Sequence, residues 1–359
     1  MTFCVRALLL IVISLSSVYG QSGDHGTSDL DRRPAVSGSN TRILYVNSYH
    51  VGVGWSDGVY AAFESTLFQY LDPRSVDVYV EYLDSKRFAN RPFVGPFNDY
   101  LEAKYGETRF DLIVAADDAA YRYVIERSVE PFVGVPVVFC GVNEYSLDDF
   151  DDSEAITGIV EVTEVESTLD LIFTLHPELK RVIVVSDPTL NGRAHLERIR
   201  RYAAAHSLTD MFEFPDFEST HTLDQMIASV ASAGPNTVVY FSDYFVEPNG
   251  KPVDPLEAID RLRTSTDVPI YTQSAVYVGG GVVGGKVVVP ADQGSRAAQY
   301  AVRILRGENA RTIPVMTRSL ARYVFDAHQL NRHDIARSRL PDDRVLVNTF
   351  VQRVSSSRR

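Results

Sequence analysis

Residues 111–127 read DLIVAADDAAYRYVIER. Asp111 to Ala115 is a short run rich in branched apolar side chains, the composition of a strand buried on both faces. Two carboxylates follow, and from Ala119 to Arg127 the apolar residues recur at helical spacing. A strand that passes through an acidic turn into a helix is the repeating unit of a parallel sheet with helices on both faces.

The same unit recurs upstream. Ile43 to Val46 reads as a strand, Asp57 to Leu71 as a helix with Val59, Phe63, Leu67 and Tyr70 at helical spacing, and Val76 to Leu83 as a strand. Phe93 to Tyr105 follows as a helix with Phe97, Leu101 and Tyr105 on one face, and Val135 to Phe139 closes the round as a strand. A second round follows. Strands are predicted at 156–162, 181–186, 237–241 and 268–271, with helices at 167–175, 193–206, 223–233 and 255–264. After Gly294 a long amphipathic helix is predicted to end at Gly307, with extended pieces at 311–315 and 322–325. Two such rounds predict an α/β protein of two doubly wound parallel-sheet lobes, with a cleft between their carboxyl edges. Small molecules bind in clefts of that kind.

The chain has 359 residues, 45% hydrophobic, with 35 Lys+Arg against 47 Asp+Glu and a net charge of −12. The apolar fraction is ample for real cores and excludes disorder. The acidic balance speaks against nucleic acid as a partner. Residues 1–20, MTFCVRALLLIVISLSSVYG, read as a secretory signal: Arg6, then an apolar run too short to span a membrane, then a small-residue site at Gly20. Residues 21–41 form a polar, Gly/Ser-rich leader. An exported chain would keep one cysteine, Cys140, at the end of an apolar run, where it reads as a small core residue.

Several phrases carry a resemblance: VNSYH at 46–50, GWSDG at 54–58, EYLDSKR at 81–87, AADDAAYRY at 115–123, PVVFCGVNE at 136–144, ITGIVE at 156–161, GGGVVGG at 279–285 and LRGE at 305–308. In this order the chain resembles the ABC-transporter substrate-binding proteins related to aromatic-amino-acid binders, in particular the branch that also serves as the extracytoplasmic sensor of some histidine kinases. The resemblance covers residues 42 to 350. It implies a type I periplasmic-binding fold whose lobes, joined by a hinge crossed three times, close on ligand. Lobe one would be 42–157 plus about 286–310, lobe two 158–285 plus about 311–350, with a tail at 351–359. It further implies capture of a small organic ligand, an amino acid or aromatic compound, for delivery to an ABC permease. The alternative is a sensing subunit that signals to a membrane partner such as a histidine kinase. A chain ending near Arg359 without a kinase module favours the free binding protein: periplasmic, monomeric, non-enzymatic and without cofactor or metal.

Candidate ligand-binding residues sit where strands end. Asp117 and Asp118 could accept hydrogen bonds from a ligand amine or hydroxyl, or could cap the helix they precede. Ser48, Tyr49, His50 and Trp55 occupy the first strand-to-helix loop; the Trp55 indole could stack on a planar ligand or pack its own loop. Asn143 could read a ligand carboxylate or amine, or make an Asx turn. Asp187, Thr189 and Asn191, then Asp243 and Tyr244, end two strands of the second round. Tyr82, Asp84, Lys86 and Arg87 could shape the rim, and Glu161 could brace the hinge or touch ligand. Residues 279–284, GGGVVG, match a dinucleotide fingerprint by letter, but an extended run follows where a helix would have to open.

Overall fold

The computed structural model describes residues 40–88, 94–126, 132–143, 145–146, 155–217 and 222–349. The signal-like segment, residues 21–39 of the leader and the tail beyond 349 lie outside these residues, and the leader's last residue, Thr41, already belongs to the first strand. Among the described residues no helix is long and apolar enough to cross a membrane.

The first sheet has the order β2-β1-β3-β4-β5, all parallel, from β1 (Thr41–Asn47), β2 (Val76–Tyr82), β3 (Leu112–Ala116), β4 (Val137–Val142) and β5 (Ile156–Val160). Its helices are α1 (Gly54–Tyr70), α2 (Val94–Tyr105), α3 (Asp117–Ile125) and α8 (Pro290–Leu305). The period-2 alternation of strands sorts the core. Ile43, Tyr45, Val114, Val138 and Cys140 face Phe63 and Leu67 of α1 and Ala297 and Ala301 of α8. Leu44, Val46, Ile113 and Phe139 face Leu101 of α2 and Tyr121 and Val124 of α3. Each fully buried Val, Leu, Ile or Phe among them contributes about 1.5–3 kcal/mol of transfer free energy. Helices α1 and α8 touch backbone to backbone at Gly294, where a Cβ would fall 2.0 Å from the Val59 carbonyl oxygen.

The second sheet has the order β12-β11-β10-β9-β8-β6-β7. Its strands are β6 (Arg181–Val185), β7 (Phe212–Glu213), β8 (Thr237–Phe241), β9 (Ile270–Thr272), β10 (Gly284–Val287), β11 (Arg322–Asp326) and β12 (Val345–Val347). Pairing is parallel except between β10 and β11. Helices α4 (Val165–Leu175), α5 (Leu190–Ala205) and α9 (Ala327–Arg332) cover one face, and α6 (Leu223–Ala231) and α7 (Pro255–Ser265) the other. Local signals place them: Thr222 and Gln225 form a capping box on α6, and Asp254 caps α7 ahead of Pro255.

The chain passes between the sheets three times: after β5, between β10 and α8, and between Met316 and β11. These passages fall a few residues away from 157/158, 286 and 310, where the sequence suggested them. Strand β5 pairs with β4 along its whole length, which keeps Gly158–Val160 in the first sheet. Gly284–Val287 pair within the second sheet, and Met316 bridges Ile159 at the edge of the first. Hydrogen-bonded pairing decides membership, and apolar runs do not show their partners. Two shorter readings change as well. The extended piece foreseen at 311–315 begins as a 3-10 turn at Ala310–Thr312, and α8 starts one turn earlier than Gly294, at Pro290, where proline suits the first helical position. The glycines at 279–284 lead into β10 and open no helix. Gly284 (φ +132°) is required because a Cβ there would lie 2.0 Å from the Val324 carbonyl oxygen.

Candidate functional site

The carboxyl ends of both sheets converge. Lys86, in the loop after β2, sets its ammonium 4.1 Å from the ring centroid of Tyr49, after β1, and 3.2 Å from that of Phe245, after β8 of the other sheet. A Cβ on Gly54 at the start of α1 would lie 3.1 Å from Val276 of the second lobe. The two rims are in contact, and titratable groups from both gather between them.

On the first rim Asp117 is 3% exposed and has a positive φ of 69°. Its Oδ1 accepts from the Trp55 indole N–H at 2.9 Å, and its Oδ2 has no hydrogen-bond partner. Gly141 (φ +69°) makes room for this pair, since a Cβ would lie 3.2 Å from that Oδ1. Burial and the neighbouring Asp118 push the Asp117 carboxyl up to about 8, with Lys86 and the indole opposing. Asp118 accepts from the backbone N–H of Asn143 at 2.9 Å and from its amide at 3.3 Å. Neither aspartate caps α3. Ser48 does that from the end of β1, its hydroxyl accepting from Ala120 N–H at 2.7 Å while donating to the Ala116 carbonyl. Trp55 lies in the first turn of α1 rather than in the preceding loop, because the helix opens at Gly54 without a side-chain cap. Tyr49 is buried beside Lys86, whereas His50 turns to Asp84 at 3.1 Å, and Asp84 also pairs with Arg87. Glu161, just past β5, has no side-chain hydrogen bond among the described residues; burial raises its carboxyl well above the usual range, and Asp117, Asp118 and Asp243 add to the rise.

On the second rim Asp187 is fully buried and fully used: Oδ1 accepts from the Thr189 N–H at 3.0 Å and from its hydroxyl at 2.5 Å, and Oδ2 from Phe245 N–H at 2.7 Å. Thr189 caps α5, with Asn191 in its first turn. Asp243 accepts from the Tyr277 hydroxyl at 2.6 Å. Tyr244 is a core residue, its hydroxyl donating to Glu247 at 2.9 Å, so it is the next aromatic, Phe245, that faces Lys86. Behind them the Gln273 amide donates to His195 Nδ1 at 2.8 Å and to Ser242 Oγ at 3.0 Å, and Tyr240 donates to Gln273 at 2.6 Å. Burial holds the His195 imidazole down to about 4, hence neutral. Ser242 Oγ (3.0 Å) and Asp243 Oδ2 (4.0 Å) approach the same ring nitrogen of His195, whereas a hydrolytic relay needs them on opposite nitrogens.

The structure thus gathers Tyr49, Lys86, Asp117, Glu161, Asp243 and Phe245. It sets Ser48, Thr189, Asp187 and Tyr244 behind them as framework, and His50 to one side. Phe245, Gly141 and the His195–Gln273 network carried no sequence signal, being single residues in loops or on buried faces.

The family described as ABC transporter substrate binding protein matches residues 103–350. The chain belongs to this family. No curated protein matches the chain. Among solved structures, an ABC domain in complex with L-Trp from Streptococcus pneumonia is similar with a TM-score of 0.61 at 16% identity, over 86% of this chain and 100% of that one. A ligand-free, open substrate binding protein with adhesive properties from Clostridium difficile gives 0.62 at 14%, over 86% and 99%. A carbohydrate transporter solute binding protein from Agrobacterium radiobacter, in complex with D-arabinose, gives 0.52 at 12%, over 83% and 98%. At these identities the likeness is one of fold, the type I periplasmic-binding architecture. The chain is a substrate-binding protein of the ABC transporter family.

Proposed function

We propose that this substrate-binding protein works outside the cytoplasm, capturing a small organic solute, an amino acid or related aromatic compound, between its lobes for delivery to an ABC permease. The observation that carries the reading is the meeting of Lys86 with Tyr49 and Phe245 from opposite rims, amid Asp117, Glu161 and Asp243. Aromatic faces and open carboxylate oxygens at one point suit a solute with a flat apolar part and hydrogen-bond donors. Closure follows from differential affinity: a solute touching both rims stabilises the conformer in which they meet.

A thermal-shift screen with amino acids, aromatic amines, nucleobases and sugars tests this. At 100 times its dissociation constant a ligand adds about 2.7 kcal/mol, which raises Tm by roughly 4 °C in a fold of about 310 residues. Small-angle scattering with the same solute is expected to show closed lobes. A panel that produces neither shift nor closure overturns the reading.

A further inference from the structure

Lys86 makes no ion pair within 4 Å among the described residues, although the charges of Asp243, Asp117, Asp187 and Glu161 all act on it. Its ammonium instead lies between two aromatic faces, one from each lobe. Asp187 has its carboxylate fully occupied by N–H and O–H donors. The other three do not. Asp117 Oδ2 is buried without a partner, Glu161 has no side-chain hydrogen bond among the described residues, and Asp243 Oδ2 comes only to 4.0 Å from a neutral imidazole. A carboxyl withdrawn from water needs a donor or a counter-charge, and one ammonium near buried Asp117 and half-buried Glu161 and Asp243 leaves the set short of both. An aromatic pair closing on a cation is, besides, a recognition device for ammonium groups.

We propose that Tyr49, Phe245, Asp117, Glu161 and Asp243 form an ammonium subsite, which Lys86 occupies and yields to a protonated amine of the ligand. This rests on the solute-binding reading and names the chemical class. The ligand carries a primary or secondary ammonium, because Asp117 Oδ2, once the carboxyl gives up its proton beside the incoming cation, takes an N–H donor that a quaternary centre lacks. Lys86 thereby sets specificity. A neutral analogue brings no charge with which to replace it, and an anion meets three acidic side chains that it would have to keep protonated.

Two arms test the proposal. In the first, the wild-type protein and Lys86→Ala are melted with n-butylammonium chloride, butanol, sodium butyrate or sodium chloride at matched ionic strength. Butylammonium is expected to raise the Tm of Lys86→Ala several times more than that of the wild type, butanol and butyrate to leave it unmoved, and Asp117→Asn in the Lys86→Ala background to remove the rescue. In the second, phenethylammonium and 3-phenylpropionate are titrated calorimetrically. Phenethylammonium is expected to bind the wild type, and Lys86→Ala at least tenfold tighter once the tethered competitor is gone. Should Lys86→Ala not fold, Lys86→Met keeps the apolar stem and serves in both arms. Equal effects of butylammonium on the two proteins, or no shift in either, overturn the proposal. So does binding of 3-phenylpropionate that is lost in Lys86→Ala, which would make Lys86 an anion partner and leave the solute-binding reading standing. Failure of that broader reading is seen separately, as lobes that no solute closes in scattering.

Discussion

The two rims of the cleft are built alike, from loops at the carboxyl ends of parallel strands, yet their polar groups are arranged differently. On the second rim they bond to one another: Asp187 to Thr189 and Phe245, Asp243 to Tyr277, Tyr244 to Glu247, Gln273 to His195, Ser242 and Tyr240. On the first rim Asp117 Oδ2 is buried without a hydrogen-bond partner among the described residues, and Lys86 sets its ammonium against two aromatic faces. A self-satisfied network is rigid, and an unsatisfied one is costly until something completes it. Under the proposed function the second rim is the more preformed side, reaching the solute through Phe245 and the open oxygen of Asp243, and the first rim is the side that ligand completes.

That contrast breaks if substitutions on the two rims behave alike. The largest effect is expected from Asp117→Ala. A charge-assisted hydrogen bond is worth about 1.5–3 kcal/mol, so solute affinity measured by calorimetry should fall roughly ten- to hundredfold with the fold retained. Gln273→Leu on the other rim leaves His195, Ser242 and Tyr240 short of a partner and should cost about 1–3 kcal/mol of stability by urea unfolding, with affinity nearly unchanged. A large affinity loss there would end the distinction between the preformed side and the side that ligand completes.

Acid–base behaviour gives a smaller, signed effect. Asp117 keeps its proton up to about 8 in the folded protein, against an ordinary 3.8. Between those values the folded state binds more protons, so stability falls as pH rises through the window. The buried His195 and His176, both lowered to about 4, act in the opposite sense, but only below the ordinary histidine value of 6.5. From pH 6.5 to 8.5 Tm should therefore decline, and Asp117→Asn should flatten the decline. A slope unchanged by Asp117→Asn would remove that carboxyl as its source. The smallest effect is expected from Trp55→Phe, which deletes the donor to Asp117 Oδ1 and should weaken solute binding by about 0.5–1.5 kcal/mol while leaving Tm close to that of the wild type.

Much of this was legible in the chain itself. The apolar runs of β1, β3, β6 and β8 and the periodicity of α1 and α2 specify a pair of doubly wound sheets, because a parallel strand covered on both faces has few compositions open to it. Strand-end position also pointed to Tyr49, Asp117 and Asp243. It did not separate them from Ser48 and Thr189, which cap helices, or distinguish Tyr244 from Phe245, adjacent aromatics of which one enters the core and the other meets Lys86. Local sequence determines which segments form strands and helices, since burial and hydrogen bonding along a segment depend on its own pattern. Only the tertiary structure decided which carboxylates stay unpaired and which cation stands among them. Those facts depend on partners far apart in the chain, Lys86 with Phe245 and Trp55 with Asp117, and on the close approach of the two rims.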